Sequence, residues 1–197
     1  MKKTALLFFY FLFGTTILIS QTAKEFQEQL TKDYKDPEKS PLREKAKLFK
    51  GHDFFVIDSS YTATATFYKT INPIPFAMQT SNNISKTYEK YGEVTFVING
   101  TQLKLNVYQS HSLRDSEEFK NHLFLPFTDA TNGYETYAGG RYLDVEIPEG
   151  NTIILDFNKA YNPYCAYTKG YSCPIPPKEN NLEIAIKAGV KKPNKFY

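Results

Sequence analysis

The residue types that could carry out chemistry are concentrated in two neighbouring stretches of the C-terminal half of the chain. The first reads FTDATNGYETYAGGRYL and runs from Phe127 to Leu143, and the second reads DFNKAYNPYCAYTKGYSCPIPPKEN and runs from Asp156 to Asn180. A guanidinium binds anionic groups, a carboxylate can act as a general acid or base, and a tyrosine hydroxyl can donate a hydrogen bond. The two stretches together predict either a site for a polar ligand or a metal-independent catalytic site.

Arg141 is the most informative of these residues, because its side chain is predicted to point inward. In RYLDVEI the two-residue period of a strand puts Arg141 on the same face as Leu143 and Val145. A buried guanidinium without a partner is very costly, so an inward Arg141 requires a carboxylate. The candidate partners are Asp129, Glu135 and Asp156.

Two interpretations of this group are open. In the first, Arg141 and one carboxylate form a structural bridge that holds the loop TNGYETYAGG in place. In the second, Arg141 binds an anion, Glu135 acts as a general acid or base, and Tyr137 donates a hydrogen bond. Glu135, Arg141 and Asp156 are then the candidate catalytic residues of a metal-independent hydrolase. No known nucleophile, zinc-protease, calcium or phosphate-loop motif accompanies them.

Tyrosines occur in both stretches and suggest a binding surface on loops. Tyrosine offers an apolar ring together with a polar hydroxyl, which suits contact with a small polar molecule, a glycan or another protein. The alternative is that these rings only cover the surfaces of strands. The binding candidates are Asp129, Tyr137, Asn158, Tyr161, Asn162 and Tyr167, with Tyr164 beside them.

The N-terminus has the order of features found in a secretory signal peptide. Two lysines precede an apolar run from Ala5 to Phe13, and the chain then passes through Gly14 and two threonines to Ser20. A membrane anchor is the alternative, but the apolar run ends by Ile19, and a span needs roughly 20 such residues. We predict that residues 1–20 are removed and that the protein is periplasmic or secreted, without stable membrane insertion.

The charge balance gives no reason to expect nucleic-acid binding. The chain has 24 basic and 21 acidic residues, and removing residues 1–20 takes away two lysines and no acid, which leaves 22 against 21. A nearly neutral protein does not attract a polyanion or an anionic membrane. The expected partner is therefore a small polar molecule, a glycan or an envelope protein, and not a nucleic acid.

The segment that precedes the main body is predicted to be helical. Phe26, Leu30 and Tyr34 of AKEFQEQLTKDY are spaced four apart with charged residues between them, and a proline follows. We assign residues 21–41 to this N-terminal helical segment and residues 42–197 to a single β-rich domain.

The β-rich part contains a clear hairpin. EVTFVI and TQLKLNV flank Asn99-Gly100, a pair that accepts positive φ angles in a two-residue turn, so Ile98 should pair with Thr101. The strand TIILDF is apolar on both faces and is expected to be covered on both sides. Without any βαβ alternation, we predict a mainly β fold, an antiparallel β barrel or sandwich with a short N-terminal helix. Further strands are predicted at residues 61–68, 74–79, 87–91, 141–147, 152–157 and 182–187.

The two cysteines, Cys165 and Cys173, are separated by seven residues. In an exported protein, oxidising conditions favour a disulfide between them. Free thiols and a metal site are the alternatives, but zinc would need two more ligands, and His52, His111 and His122 have no ligand spacing with the pair. A catalytic thiolate would also need a neighbouring base. We predict a Cys165–Cys173 disulfide, no metal and no cofactor.

Three long patterns in the two stretches resemble a known family. They are F-x-D-A-T-x-G-x-E-T-Y-x-x-G-R-Y-L, DFN-x-AYNP-x-CAY and CP-x-PP-x-EN. The chain resembles the uncharacterised bacterial family catalogued as domain of unknown function 1684, over roughly residues 42–191. The resemblance implies a short member, because larger relatives carry an N-terminal region rich in tryptophan. It implies no particular activity, since none is established for the family.

Two functional hypotheses follow from the sequence. The first is an exported cell-envelope module that binds a small polar ligand, a glycan or a protein, and the alternative is the metal-independent hydrolase that uses the Glu/Arg/Asp group. The lack of a known nucleophile motif favours binding, whereas the concentration of ionisable residues favours chemistry. We prefer binding, and whether the protein is an enzyme stays open.

Overall fold

The structure, a computed structural model, describes residues 21–193, and the predicted signal peptide lies outside them.

A capping box begins the N-terminal helix, α1, which spans Ala23–Lys35. The Thr22 hydroxyl accepts a hydrogen bond from the Glu25 amide at 3.3 Å, and the Glu25 carboxylate accepts one from the Thr22 amide at 2.8 Å. These two bonds satisfy amides that have no partner within the helix. The predicted short helix is confirmed, and it ends just before Pro37.

The main body is a curled antiparallel sheet of seven strands in the described part of the chain. Along the sheet the strands lie in the order β6-β5-β4-β3-β1-β7, and β2 pairs with β3 beside this path. The predicted mainly β, antiparallel fold is confirmed as a half-barrel. The strands are β1 Thr62–Lys69, β2 Pro75–Met78, β3 Lys86–Ile98, β4 Thr101–Ser110, β5 His122–Phe127, β6 Arg141–Glu146 and β7 Thr152–Asp156.

The hairpin between β3 and β4 has the predicted register. Ile98 pairs with Thr101, and the turn residues Asn99 and Gly100 have φ angles of 50° and 77°. The segments predicted as two strands, 87–91 and 93–98, form the single strand β3, which has a register shift between Lys90 and Gly92. A bulge of this kind bends a strand and helps a sheet to curl.

Three sequence-based expectations about strands were wrong or incomplete. The segment 182–187 is irregular, because its main chain bonds to a loop rather than to a strand, with the Leu182 amide donating to the Thr128 carbonyl at 2.8 Å. β7 is a sheet edge covered on one side only, since Ile154 is 57% exposed. β5 was not predicted, because HLFLPF has no alternation of polar and apolar residues.

Strand β5 is mainly apolar because both of its faces are buried. Leu123 and Leu125 of β5 point into the main core, and Phe124 between them points into a second cluster on the outer face. The outer cluster consists of Met78, Tyr88, Tyr108, Phe124 and Tyr142, with Tyr161 packed against it.

None of the helices within residues 21–193 has the length and the apolar character that a membrane-spanning helix needs.

Candidate functional site

A cavity of about 470 Å³ opens beside the outer aromatic cluster, and we call it the aromatic pocket. Rings provide most of its walls, and a few polar side chains reach it. Its lining residues are Lys86, Tyr88, Leu113, Phe119, His122, Phe124, Tyr142, Asp144, Tyr161, Pro163, Tyr164, Tyr171, Ser172, Cys173 and Pro174.

Strands β5 and β6 form the floor of the aromatic pocket. Phe124 pairs with Asp144 across these strands, and the two-residue period places Tyr142 on the same outer face as Asp144. The rings of Phe124 and Tyr142 meet edge to face, with centroids 4.7 Å apart. Tyr161 joins them through two main-chain hydrogen bonds with Tyr142, both 2.9 Å long. The floor is therefore built on two paired strands rather than on a loop.

Asp144 is the central polar group of the pocket. One carboxylate oxygen, Oδ1, lies 2.9 Å from Nε2 of His122, and the other, Oδ2, accepts a hydrogen bond from the Tyr161 hydroxyl at 2.7 Å. The contact with the carboxylate assigns a proton to Nε2 of His122. The Asp144 side chain is still 41% exposed, so a ligand can reach it.

Burial is the main cause that raises the pKa of Tyr161 well above its usual value, and the negative charge of Asp144 acts in the same direction. Tyr161 therefore stays protonated at neutral pH and remains a hydrogen-bond donor to Asp144. Burial likewise raises the pKa of Tyr88 and of Tyr164. The hydroxyls of Tyr88, Tyr161 and Tyr164 are therefore neutral polar groups of the pocket and not phenolates.

The segment that contains the two cysteines forms another wall of the pocket, through Tyr164, Tyr171, Ser172, Cys173 and Pro174. The sulfurs of Cys165 and Cys173 lie at disulfide-bonding distance, with Cα atoms 6.3 Å apart. This distance confirms that the two cysteines lie close enough to form the predicted pair. The rings of Tyr164 and Tyr171 lie 5.0 Å apart within the loop, and the Tyr142 hydroxyl donates to the Pro174 carbonyl. The cysteine pair therefore shapes a wall of the pocket.

Arg141 is fully buried and forms the structural bridge of the first interpretation. Its Nη2 donates to Asp129 Oδ2 at 2.9 Å and to the Ile186 carbonyl at 2.8 Å, and Nη1 donates to the carbonyls of Ala188 and Val190. Burial lowers the pKa of Arg141, and the Asp129 carboxylate opposes that change. Of the three candidate carboxylates, Asp129 is the partner.

The structure does not bring Glu135, Arg141 and Asp156 together. Glu135 is exposed and pairs with Lys187 at 3.2 Å. Asp156 ends β7 and accepts hydrogen bonds from the Thr62 hydroxyl and the Asn158 amide, both at 3.1 Å. The prediction of one cluster was wrong because each carboxylate is satisfied by a neighbour that sequence spacing did not indicate.

Most of the other predicted binding residues have structural contacts. Asn158 bonds through its side chain to both main-chain groups of Asp58. Asn162 donates to the Lys191 carbonyl at 2.9 Å, and its amide lies 3.2 Å from the Tyr167 hydroxyl. The Tyr137 ring lies over Gly139. Of the six binding candidates, only Tyr161 lines the aromatic pocket.

Sequence reasoning missed His122 and Asp144, which carry the polar chemistry of the pocket. The signal for Asp144 was present, because the alternation that turned Arg141 inward also placed Tyr142 and Asp144 together on the opposite face. His122 had no such signal, since β5 was not identified. Residues 21–193 contain no group of three or more His, Cys, Asp or Glu side chains that could hold a metal ion.

A family described as "Protein of unknown function (DUF1684)" matches residues 47–191, which include every residue of the aromatic pocket. The chain belongs to the DUF1684 family. The resemblance read from the three sequence patterns is thereby confirmed, and helix α1 lies outside the matched DUF1684 region.

A solved structure supports the fold assignment. The DUF1684 chain is similar to an uncharacterized protein of Haloarcula marismortui whose structure was determined by solution NMR, with a TM-score of 0.66 and 31% sequence identity. The similarity covers 85% of this chain and 91% of the other. No curated protein matches the chain.

Proposed function

We propose that this DUF1684 protein is a binding module that takes a small polar ligand of the carbohydrate class in the aromatic pocket. The observation that carries the proposal is the position of Asp144, a partly exposed carboxylate surrounded by aromatic rings. A sugar ring has apolar faces that pack on aromatic rings and hydroxyls that donate to a carboxylate. A mainly apolar cavity with a few oriented polar groups is the usual form of a small-molecule site, and about 470 Å³ lies within the common range.

The carboxylate of Asp144 keeps free capacity after its two contacts in the protein. An ionised carboxylate can accept about four hydrogen bonds, and His122 and Tyr161 occupy one position on each oxygen. These two neighbours orient the group, so that little conformational freedom is lost when a ligand binds. Lys86 and Ser172 at the pocket wall add a donor and a hydroxyl for the remaining ligand oxygens.

We also propose that the module works in the cell envelope or outside the cell. The order of features in residues 1–20 and the paired cysteines support export, because disulfides persist in oxidising compartments. Intact-mass measurement of protein from an exporting host should give a chain that starts at Gln21. A mass that still includes residues 1–20 would contradict this proposal.

The binding proposal can be tested by titrating the protein with neutral monosaccharides and disaccharides, including N-acetylated ones, and following the amide spectrum by NMR. We expect shifts at Phe124, Asp144 and Tyr161. Asp144→Asn should weaken binding about ten- to a hundredfold, because it removes a charge-assisted hydrogen bond. Glu135→Gln makes the same chemical change at an exposed position outside the pocket and should bind as the wild type does.

Two results would contradict the binding proposal: no sugar of the panel shifts these resonances at millimolar concentration, or Asp144→Asn binds as tightly as the wild type.

The alternative function, a metal-independent hydrolase, has weaker support. Its three proposed catalytic residues occupy separate places, one of them fully buried in an ion pair.

A further inference from the structure

The half-barrel is open between its two edge strands, β6 and β7, and we call this opening the seam. The two strands follow each other in the chain and are joined only by residues 147–151, yet they lie at opposite ends of the strand order. Within the described residues, the seam side of β6 pairs only at Tyr142, which bridges to Tyr161. In the part of the chain that the structure describes, the other residues of both edges have no strand partner on the seam side.

The main-chain groups of β6 that face the seam can be identified from its register. The Ile147 amide donates to the Asn121 carbonyl at 2.8 Å, so the alternating residues Leu143 and Val145 also bond toward β5. Tyr142 bonds in the opposite direction, to Tyr161. The same alternation turns the amides and carbonyls of Asp144 and Glu146 toward the seam.

The same reasoning applies to β7. The Phe67 amide donates to the Asn151 carbonyl at 2.8 Å, so Ile153 and Leu155 form the hydrogen-bonded pairs with β1. The residues between them have their main-chain groups on the other side. Ile154 therefore presents an amide and a carbonyl to the seam, opposite those of β6.

Most side chains around the seam are either apolar or acidic. A cavity of about 540 Å³ lies between the two strands, and Gln21 before helix α1 and Phe26 within it also line this cavity. Leu143, Val145 and Ile153 turn toward the core side of it. The carboxylates of Asp144, Glu146 and Asp156 also line it, with Lys159 as the one basic lining residue in the described part of the chain.

We propose that the seam binds an extended segment of a partner protein as an added β-strand, in which apolar residues alternate with basic ones. The main-chain groups of Asp144, Glu146 and Ile154 that face the seam would bond to the segment, as in other cases of strand addition. Its apolar residues meet Leu143, Val145 and Ile153, and its basic residues meet the carboxylates. A second copy of this chain is a poor occupant, because its own edges would bring the same carboxylates into contact.

The first test uses the peptide Lys-Val-Lys-Val-Lys-Val, acetylated and amidated, and hydrogen exchange of the protein followed by NMR. We expect the amides of Asp144, Glu146 and Ile154 to exchange rapidly in the free protein and about tenfold more slowly with the peptide. A Glu/Val peptide of the same pattern should give no protection, and neither should a Lys/Val peptide with a central proline. Equal protection by the acidic peptide would overturn the proposal.

The second test changes the protein. Ile154→Pro removes the amide that faces the seam but keeps the ladder to β1, and Ile154→Thr keeps that amide as the matched control. Ile154→Pro should weaken peptide binding about tenfold and Ile154→Thr should not. Glu146→Lys, at an exposed position, should weaken it similarly and tests the charge requirement even if the proline variant fails to fold.

Unchanged affinity in Ile154→Pro or in Glu146→Lys would overturn the proposal. So would protection of the same amides that rises with protein concentration in the absence of peptide, since the occupant would then be a second copy. Asp144 lines both the seam and the aromatic pocket, whereas Glu146 and Ile154 lie outside that pocket. The Ile154 and Glu146 variants therefore test strand addition independently of sugar binding.

Discussion

Arg141 and Asp129 show how a charged pair can be accommodated in the interior of a small β domain. Both side chains are fully buried, and the guanidinium bonds to three main-chain carbonyls besides Asp129. The Asp129 carboxylate in turn accepts from the Thr131 amide and hydroxyl and from the Ile186 amide. The pair therefore joins β6 to the loop after β5 and to the irregular C-terminal segment.

Removing the charge of Asp129 should destabilise the protein strongly. Asp129→Asn leaves the Arg141 charge buried without a counter-charge, and breaking such a pair typically costs about 3 to 5 kcal/mol. Glu135→Gln is the matched control, because it neutralises an exposed partner of Lys187, and such pairs contribute at most about 1 kcal/mol. Urea unfolding of both variants measures the difference. Similar stabilities for the two variants would contradict the role of Arg141 and Asp129 as a structural bridge.

At the scale of elements, helix α1 docks through an aromatic cluster around His52. The His52 ring lies 4.5 Å from the Tyr34 ring and 4.8 Å from the Phe49 ring, and Nδ1 is 3.1 Å from the Thr31 hydroxyl. Its Nε2 is buried with no hydrogen-bond partner among the described residues. Burial lowers the pKa of His52 from 6.5 to about 4, so the docked helix covers a neutral imidazole.

Helix docking should weaken as the pH falls. Because the folded pKa of His52 lies below the unfolded value of 6.5, the unfolded chain binds the proton first, and stability is lost between pH 6.5 and about pH 4. We expect the free energy of unfolding to fall by about 2 kcal/mol from pH 7 to pH 5 through this group. His52→Phe keeps a ring in the cluster and should lose this component. Urea unfolding of the wild type and of His52→Phe at both pH values measures this component. An equal loss of stability in the two proteins between pH 7 and pH 5 would contradict the prediction.

The bulge in β3 gives a second prediction at this scale, because it requires a residue without a side chain. A Cβ atom on Gly92 would lie 2.8 Å from the Tyr68 carbonyl oxygen and would also collide with the Phe67 ring. Gly92→Ala should therefore cost about 1 to 3 kcal/mol through strain. Gly150→Ala, where a Cβ meets nothing within 4 Å, is the control and should leave the melting temperature nearly unchanged. Equal melting temperatures would show that the bulge can relax.

At the scale of the whole molecule, separate parts of the chain converge on the aromatic pocket. Strands β5 and β6 supply its floor, the start of β3 supplies Lys86 and Tyr88, and the segment that holds the cysteines supplies another wall. The Ser81 amide bonds to the Cys173 carbonyl at 2.9 Å, which ties that wall to the loop between β2 and β3. This wall is thus attached both through the cysteine pair and through the loop between β2 and β3.

Oxidised protein should contain the Cys165–Cys173 disulfide, and reduction should loosen the pocket wall. Alkylation of the denatured, unreduced protein should label neither cysteine, and mass spectrometry measures this. Reduction should lower the free energy of unfolding by roughly 2 to 3 kcal/mol, as loop closure predicts for so short a loop. The double variant Cys165→Ser with Cys173→Ser should show no response to reductant. Stoichiometric labelling of both cysteines would contradict the prediction.

Much of the local structure could be predicted from the sequence, because it depends on neighbouring residues alone. The spacing of Phe26, Leu30 and Tyr34 predicted α1, Asn99-Gly100 predicted the hairpin and its register, and the alternation in RYLDVEI predicted an inward Arg141. Each of these patterns reflects a period of 3.6 or 2 residues that holds wherever the segment lies in the fold.

Only the tertiary structure decided which residues meet. That Asp129 rather than Glu135 pairs with Arg141, and that His122 and Tyr161 meet Asp144, follow from strand order and loop paths that join distant parts of the chain. The apolar run of β5 concealed its strand because two cores, formed by other segments, bury its two faces. Period and spacing determine the direction of a side chain, but long-range pairing determines its partner, and in this protein the candidate site depends on the partner.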